Sequence, residues 1–205
     1  MSDNPTVEFT PHLPPGLEAP AARLFVRGFH DKIRPIFGDA ERSRRFVAAN
    51  LDPRYCLAAL TEHGLVGILG VQTQGDGFLN VKREAMVTEY GWIRGSIKFT
   101  IYHRLSQVDA ADEWYVDGLV VAEGMRGQGI GTGLLDLFER TAREQGATMV
   151  SLDVVDTNPR AKALYERHGF VATKETSIRP FNRVFRLPYA AMTRMIKPLT
   201  AEDEV

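Results

Sequence analysis

The chain has 205 residues, 44% hydrophobic and 25% charged, with a formal net charge of −1, the balance of an ordinary globular domain long enough to bury a proper core. Disorder is excluded, no stretch approaches the ~20 apolar residues of a bilayer span, and the charge argues against nucleic acid, whose binders carry a clustered basic face. Met1-Ser2-Asp3-Asn4-Pro5 has neither a basic region nor an apolar run, so no secretory leader is expected and the chain is placed in the cytoplasm.

In chain order, Thr6 to Thr10 reads as an edge strand, followed by Pro11, Pro14, Pro15 and Pro20 before a helix over Ala21 to Ile36. Leu24, Phe25, Phe29 and Ile33 recur there at helical spacing, and Phe46, Val47 and Leu51 do so in a second helix over Arg42 to Leu51. The basic residues Lys32, Arg34, Arg42, Arg44 and Arg45 alternate with Asp31, Asp39 and Glu41, the pattern of a solvated face. Tyr55 to Leu60 and Leu65 to Gln72 then form a hairpin turned at Glu62-His63-Gly64. Cys56, the single cysteine, lies inside the first of these strands and reads as a small core residue. After Gly75-Asp76-Gly77, the segment Phe78 to Leu105 reads as a mainly helical insertion carrying Tyr90, Trp92, Phe99 and Tyr102.

The strand Glu113 to Val121 leads into Arg126-Gly127-Gln128-Gly129-Ile130-Gly131-Thr132 and a helix over Ile130 to Gln145 that ends at Gly146. Gly127, Gly129 and Gly131 free the backbone for N–H groups to converge on phosphate at a helix N-terminus, where the macrodipole favours an anion. Arg126 adds a fixed positive charge. A Walker loop needs Lys then Ser or Thr after its last glycine, whereas Gly131 is followed by Thr132-Gly133; a dinucleotide fingerprint needs glycine where Thr132 stands. NTP hydrolysis and nicotinamide or flavin binding are therefore disfavoured.

The strand Thr148 to Val155 returns after that helix, so the pair should be parallel with a right-handed crossover. Asn158 then starts a helix over Pro159 to His168 that carries Ala161, Leu164 and Tyr165 and ends at Gly169-Phe170. Val171 to Glu175 and Ala191 to Ile196 are further strands, and the stretch between them, with Arg179, Pro180, Phe181 and Phe185, is a candidate lid. Residues Thr200 to Val205 read as a frayed terminus. No group of His, Cys or carboxylates has metal spacing.

Arg126-x-x-Gly129-x-Gly131 followed by Asn158-x-x-Ala161-x-x-x-Tyr165 and Gly169-Phe170 resembles the GNAT superfamily of acyl-CoA-dependent N-acyltransferases, strongly over residues 113–171 and weakly elsewhere. The resemblance implies a single α/β (α+β) domain over residues 1–205. Its mixed, mostly antiparallel sheet of six to seven strands would be flanked by helices, with the insertion at about 78–111. It also implies acetyl-CoA as acyl donor, no metal, an amine acceptor of small-molecule, peptide or protein origin, and a weak leaning to a homodimer. In the family two neighbouring strands splay apart and take the pantetheine arm between them. On that pattern Leu119, Val120 and Val121 offer their backbone, residues 126–132 hold the pyrophosphate, and Asn158 reaches the cofactor or a bridging water.

Tyr165 matches the family tyrosine that acts as general acid, and a phenol of pKa near ~10 suits protonation of a thiolate. Its plain alternative is a packing tyrosine, as that of Asn158 is an N-cap before Pro159. Asp117 is the preferred base. Strand alternation puts it on one face with Tyr115, unless a bulge near Gly118 changes the parity. Glu123 and His168 read as structural, and Arg160 and Lys162 as an exposed helical pair. Two other readings are a non-catalytic acyl-CoA-binding module and a transferase of longer acyl groups. Trp92 and Phe181 are expected to shape the acceptor site.

Overall fold

The computed structural model describes residues 5–105, 108, 110–184 and 187–199, without the side chains of residues 30–32, 35, 101, 104, 105, 181 and 184. Its strands are β1 (Glu8–Thr10), β2 (Cys56–Thr61), β3 (Gly64–Gln72), β4 (Glu113–Val121), β5 (Met149–Val155), β6 (Val171–Ser177) and β7 (Ala191–Pro198). The helices are α1 (Glu18–Phe37), α2 (Ala40–Asn50), α3 (Arg83–Tyr90), α4 (Trp92–Leu105), α5 (Ile130–Glu144), α6 (Pro159–Arg167) and the single turn α7 (Phe181–Val184). One seven-stranded sheet runs β1-β2-β3-β4-β5-β7-β6. Its pairs are antiparallel except β4 with β5.

Two apolar layers cover the two faces. On one, α5 buries Ile130, Leu134, Leu135 and Phe138 against Leu57, Leu69, Val116 and Leu152, the 3.6-residue stripe of an amphipathic helix meeting alternate strand positions. On the other, Phe25, Val26, Ile33 and Phe37 of α1 join Phe46, Ile68, Phe78, Met86 and Val120. Cys56 is fully buried in this second layer, where burial raises its thiol pKa, so it is a core residue and not a nucleophile. The approach of α1 to the sheet is close enough to require glycine. A Cβ at Gly118 would lie 2.5 Å from Phe29 Cε2, and one at Gly28 would lie 2.7 Å from Val120 Cγ2.

The insertion is α3 and α4, and polar contacts tie it to the C-terminal end of α1. The Tyr90 hydroxyl donates to the Phe37 carbonyl at 2.7 Å, and Lys98 Nζ donates to the Ile36 carbonyl. From α2, Arg42 lies 4.5 Å over the Tyr90 ring and pairs with Glu89 at 2.6 Å. Arg42 is therefore half-buried between helices, where the charge pattern alone suggested a solvated face.

Candidate functional site

The strands that should part do part. β4 and β5 pair in parallel from Glu113↔Met149 to Val116↔Leu152 and no further. Beyond that point β4 stays with β3 as far as Val121, while β5 stays with β7 as far as Val155. A wedge-shaped gap opens between them, and Asp117 and Asp153 are the first residue on each lip. Gly70 pairs with Gly118 and Val71 with Val116, so Asp117 is the extra residue of a bulge. Tyr115 and Asp117 consequently share the α1 face, and the parity reverses after them. Val120 is buried with α1, whereas Leu119 and Val121 pack with the α5 layer.

The same register settles which backbone groups face the gap. The Ala122 N–H donates to the Val66 carbonyl at 2.8 Å. By antiparallel alternation Val120 turns its N–H and C=O to β3, and Leu119 and Val121 turn theirs to the gap. Val120 thus drops out of the expected backbone trio. Arg126 Nε reaches back to the Val121 carbonyl at 3.2 Å, which holds the arginine at the head of the gap.

There the chain enters α5 through two left-handed glycines, Gly127 and Gly129, each at φ +80°. Among the described residues no side chain caps the helix at Gly129, so the first-turn N–H groups are available to an anion. Gln128 folds its amide back to the Gly124 carbonyl at 3.3 Å, and Ile130 is buried in the core; both offer only backbone to a phosphate, and Thr132 is exposed. A Cβ on Gly131 would face Leu164, Leu119 and Val121 at 3.5–4.0 Å, which puts this glycine at the join of loop, gap and α6.

Tyr165 is the buried polar group on the far side. Its ring is 8% exposed, in the same apolar cluster as Leu119 and Val154 from the two lips, with Phe170 edge-on at 6.0 Å. Its hydroxyl makes no hydrogen bond with a described residue, and burial pushes its pKa up to about 12. The hydroxyl oxygen is not among the described atoms sealed from solvent without a hydrogen bond, so it is open to solvent or to a group bound in the gap.

Residues 25–170 match the profile of the acetyltransferase (GNAT) family. The chain belongs to that family. An acetyltransferase of Agrobacterium fabrum is 44% identical over 68 residues, 33% of this chain and 47% of that relative, so the match spans less than half of that protein. Two solved structures share the fold: a putative arylalkylamine N-acetyltransferase of the yellow fever mosquito (TM-score 0.61, 19% identity, 95% of this chain and 88% of that one) and the ribosomal-protein-S18-alanine N-acetyltransferase of Escherichia coli (TM-score 0.56, 17% identity, 98% and 99%).

Within this GNAT frame the other expected residues find their places. Asn158 Oδ1 accepts the Ala161 N–H at 3.2 Å and caps α6, the structural part of its expected role. Glu123 pairs with Arg27 of α1 at 2.7 Å on the surface. His168 sits 3.2 Å from Glu139 and 3.4 Å from Asp136 on α5, away from the gap. Lys162 meets Glu166 one turn along the exposed face of α6. Trp92 is 71% exposed and stands outside the cavity of about 650 Å³ that Gln72, Asn80, Phe99, Tyr102 and His103 line. The Phe181 side chain and all of Phe185 lie outside the described residues. Among the described residues no group of three or more His, Cys, Asp or Glu could hold a metal, and no helix is long and apolar enough to cross a membrane.

Two sets of residues escaped the sequence reading. Asp156 accepts the backbone N–H groups of Ala190 and Ala191 at 3.1–3.3 Å, tying the 178–190 connection to the end of β5. Arg194 on β7 forks onto Asp153 at 2.9 and 3.3 Å and reaches Glu113 and Ser151 at 3.4 Å. The Tyr115 hydroxyl lies 3.4 Å from Asp153 Oδ2. An Asp in a strand and an Arg 41 residues later carry no local signal; only the β5–β7 register brings them together.

Proposed function

We propose that this GNAT protein moves an acetyl group from acetyl-CoA to a primary amine by direct attack. The observation that carries the reading is the wedge between β4 and β5, with an uncapped glycine turn at its head and, in the apolar layer beneath it, a Tyr165 hydroxyl that makes no hydrogen bond with a described residue. The Gly127 and Gly129 backbone, the first N–H groups of α5 and Arg126 suit a pyrophosphate. Leu119 and Val121 offer an extended backbone edge to a pantetheine amide chain. Acetyl-CoA supplies an activated thioester carbonyl, and the residues supply positioning and proton movement.

Tyr165 holds the proton destined for the departing sulfur. At a pKa of about 12 it remains a phenol at any physiological pH. The burial that raises it also destabilises a thiolate beside it, so donor and acceptor basicities rise together. Asp117, on the lip of the gap, takes the amine proton. The cavity over Gln72 houses the body of the acceptor, since Gln72 pairs with Tyr115, two residues before Asp117.

Thiol release from acetyl-CoA, measured across small amines and peptides with wild type and Tyr165→Phe side by side, tests the reading. Acceptor-dependent release that falls in Tyr165→Phe supports it. Release that ignores Tyr165 removes the acid, and silence across the panel shifts weight to a non-catalytic acyl-CoA-binding module.

A further inference from the structure

Immediately before the strands part, one polar group stands between the two lips. Tyr115 belongs to the second-last β4–β5 pair, opposite Ser151, and the carboxylates of Asp153 and Asp117 both act on its phenol. Burial, followed by those two charges, drives its pKa well above the ordinary value, so the group is a phenol with one hydrogen to give. Asp153 Oδ2 at 3.4 Å takes that hydrogen, and the oxygen lone pairs remain for an N–H donor. Arg194 grips Asp153 with two nitrogens while its guanidinium stands 5.0 Å from the Tyr115 ring centroid. It therefore fixes both carboxylate and ring.

A simple staple is a poor account of this group. The backbone already joins β5 to β7 on both sides of Asp153, so an ion pair whose arginine is a third exposed is not needed to hold these strands together. Its position is better explained by what must arrive there. On the same face, Gln72 of the 650 Å³ cavity is the cross-strand partner of Tyr115, and Phe29 of α1 closes over Gly118 just past Asp117.

Resting on the transferase reading, we infer that Tyr115 is an acceptor-contact residue, its oxygen receiving an N–H of the incoming amine at the mouth of the gap, and that Arg194 is the positioning residue that acts through Asp153. The amine is thereby turned with its lone pair toward the gap and a second N–H toward Asp117.

The test is steady-state thiol release by wild type, Tyr115→Phe, Arg194→Lys and Arg194→Met, with acceptor and acetyl-CoA varied in turn and Tm recorded for each. Loss of one hydrogen bond to the acceptor should raise acceptor KM about tenfold in Tyr115→Phe and leave acetyl-CoA KM within about twofold. Arg194→Met should show the same split, and Arg194→Lys should recover part of it, since a point charge keeps Asp153 paired without the fork. Acceptor and acetyl-CoA KM moving together, or a fall in Tm with neither KM changed, would overturn the proposal and leave the transferase standing. Wild type that releases no thiol with any amine would remove the transferase reading and this role with it.

Discussion

Two charged clusters flank the sheet, and they differ in what surrounds them. On the α5 side, Glu139 collects Lys197 at 2.7 Å, His168 at 3.2 Å and Arg143 at 3.6 Å. It links α5, the end of α6 and β7, where β7 pairs without a break with β5. On the α1 side, the cluster of Arg194, Asp153, Glu113 and Tyr115 stands where β4 and β5 stop pairing. The first cluster stands away from the gap; the second stands at its mouth, where Tyr115 pairs with Gln72 of the cavity wall. On the proposed reading, similar side chains serve cohesion in one place and reception in the other, and continuity of the backbone pairing around them distinguishes the two.

The largest effect expected on the gap side is from Tyr165→Phe, which should lower kcat by about 10²–10⁴-fold with acetyl-CoA affinity nearly unchanged. Because burial holds this phenol at about 12, its ionisation should leave no alkaline fall in kcat up to pH 10, which a pH–rate profile will show. Next comes Gly129→Val. A β-branched residue forced to φ +80° strains the turn and crowds the phosphate approach, so acetyl-CoA should bind about tenfold more weakly in calorimetry.

On the cohesion side, Glu139→Ala should cost roughly 1–3 kcal/mol in urea unfolding, because the partly exposed Lys197 and Arg143 lose the carboxylate between them, with turnover per folded molecule preserved. Burial opposes ionisation of Glu139, but His168 and Lys197 prevail and hold its pKa below the ordinary 4.5. A lowered folded pKa means that this stabilisation is present above about pH 4.5 and is lost as acidity increases below it. The Tm of wild type should therefore fall more steeply on acidification than that of Glu139→Gln. The smallest effect is reserved for Arg27→Ala, which breaks an exposed pair with Glu123 and should change neither Tm nor kcat measurably. A clear loss of activity there would move Glu123 from the surface to the site.

Periodicity made the elements legible in order, because helical stripes such as Leu134, Leu135 and Phe138 and the apolar strand ending in Leu119-Val120-Val121 are local patterns. The glycine turn was legible from its local spacing, whereas Tyr165 was singled out only by its resemblance to the family motif. Three things were not. The place of β7 between β5 and β6 depends on long-range pairing, and with it the meeting of Arg194 and Asp153. The orientation of Val120 toward β3 depends on which β4 residues exchange hydrogen bonds with that strand. The burial of Arg42 depends on Tyr90, delivered by a separate helix. For Trp92, aromatic character suggested a pocket wall, yet the turn after Gly91 leaves it at the surface, while Phe99 and Tyr102, further along α4, line the cavity.

The clamp of Tyr90 and Lys98 on the last carbonyls of α1 has a consequence for diversification. It fastens α3 and α4, which carry one wall of the cavity proposed for the acceptor, to a helix end, whereas the glycine turn belongs to α5 across the sheet. On the proposed reading the wall is a cassette: exchanging residues 78–105 between relatives while retaining the two anchoring side chains would alter what is admitted and leave the glycine turn as it was.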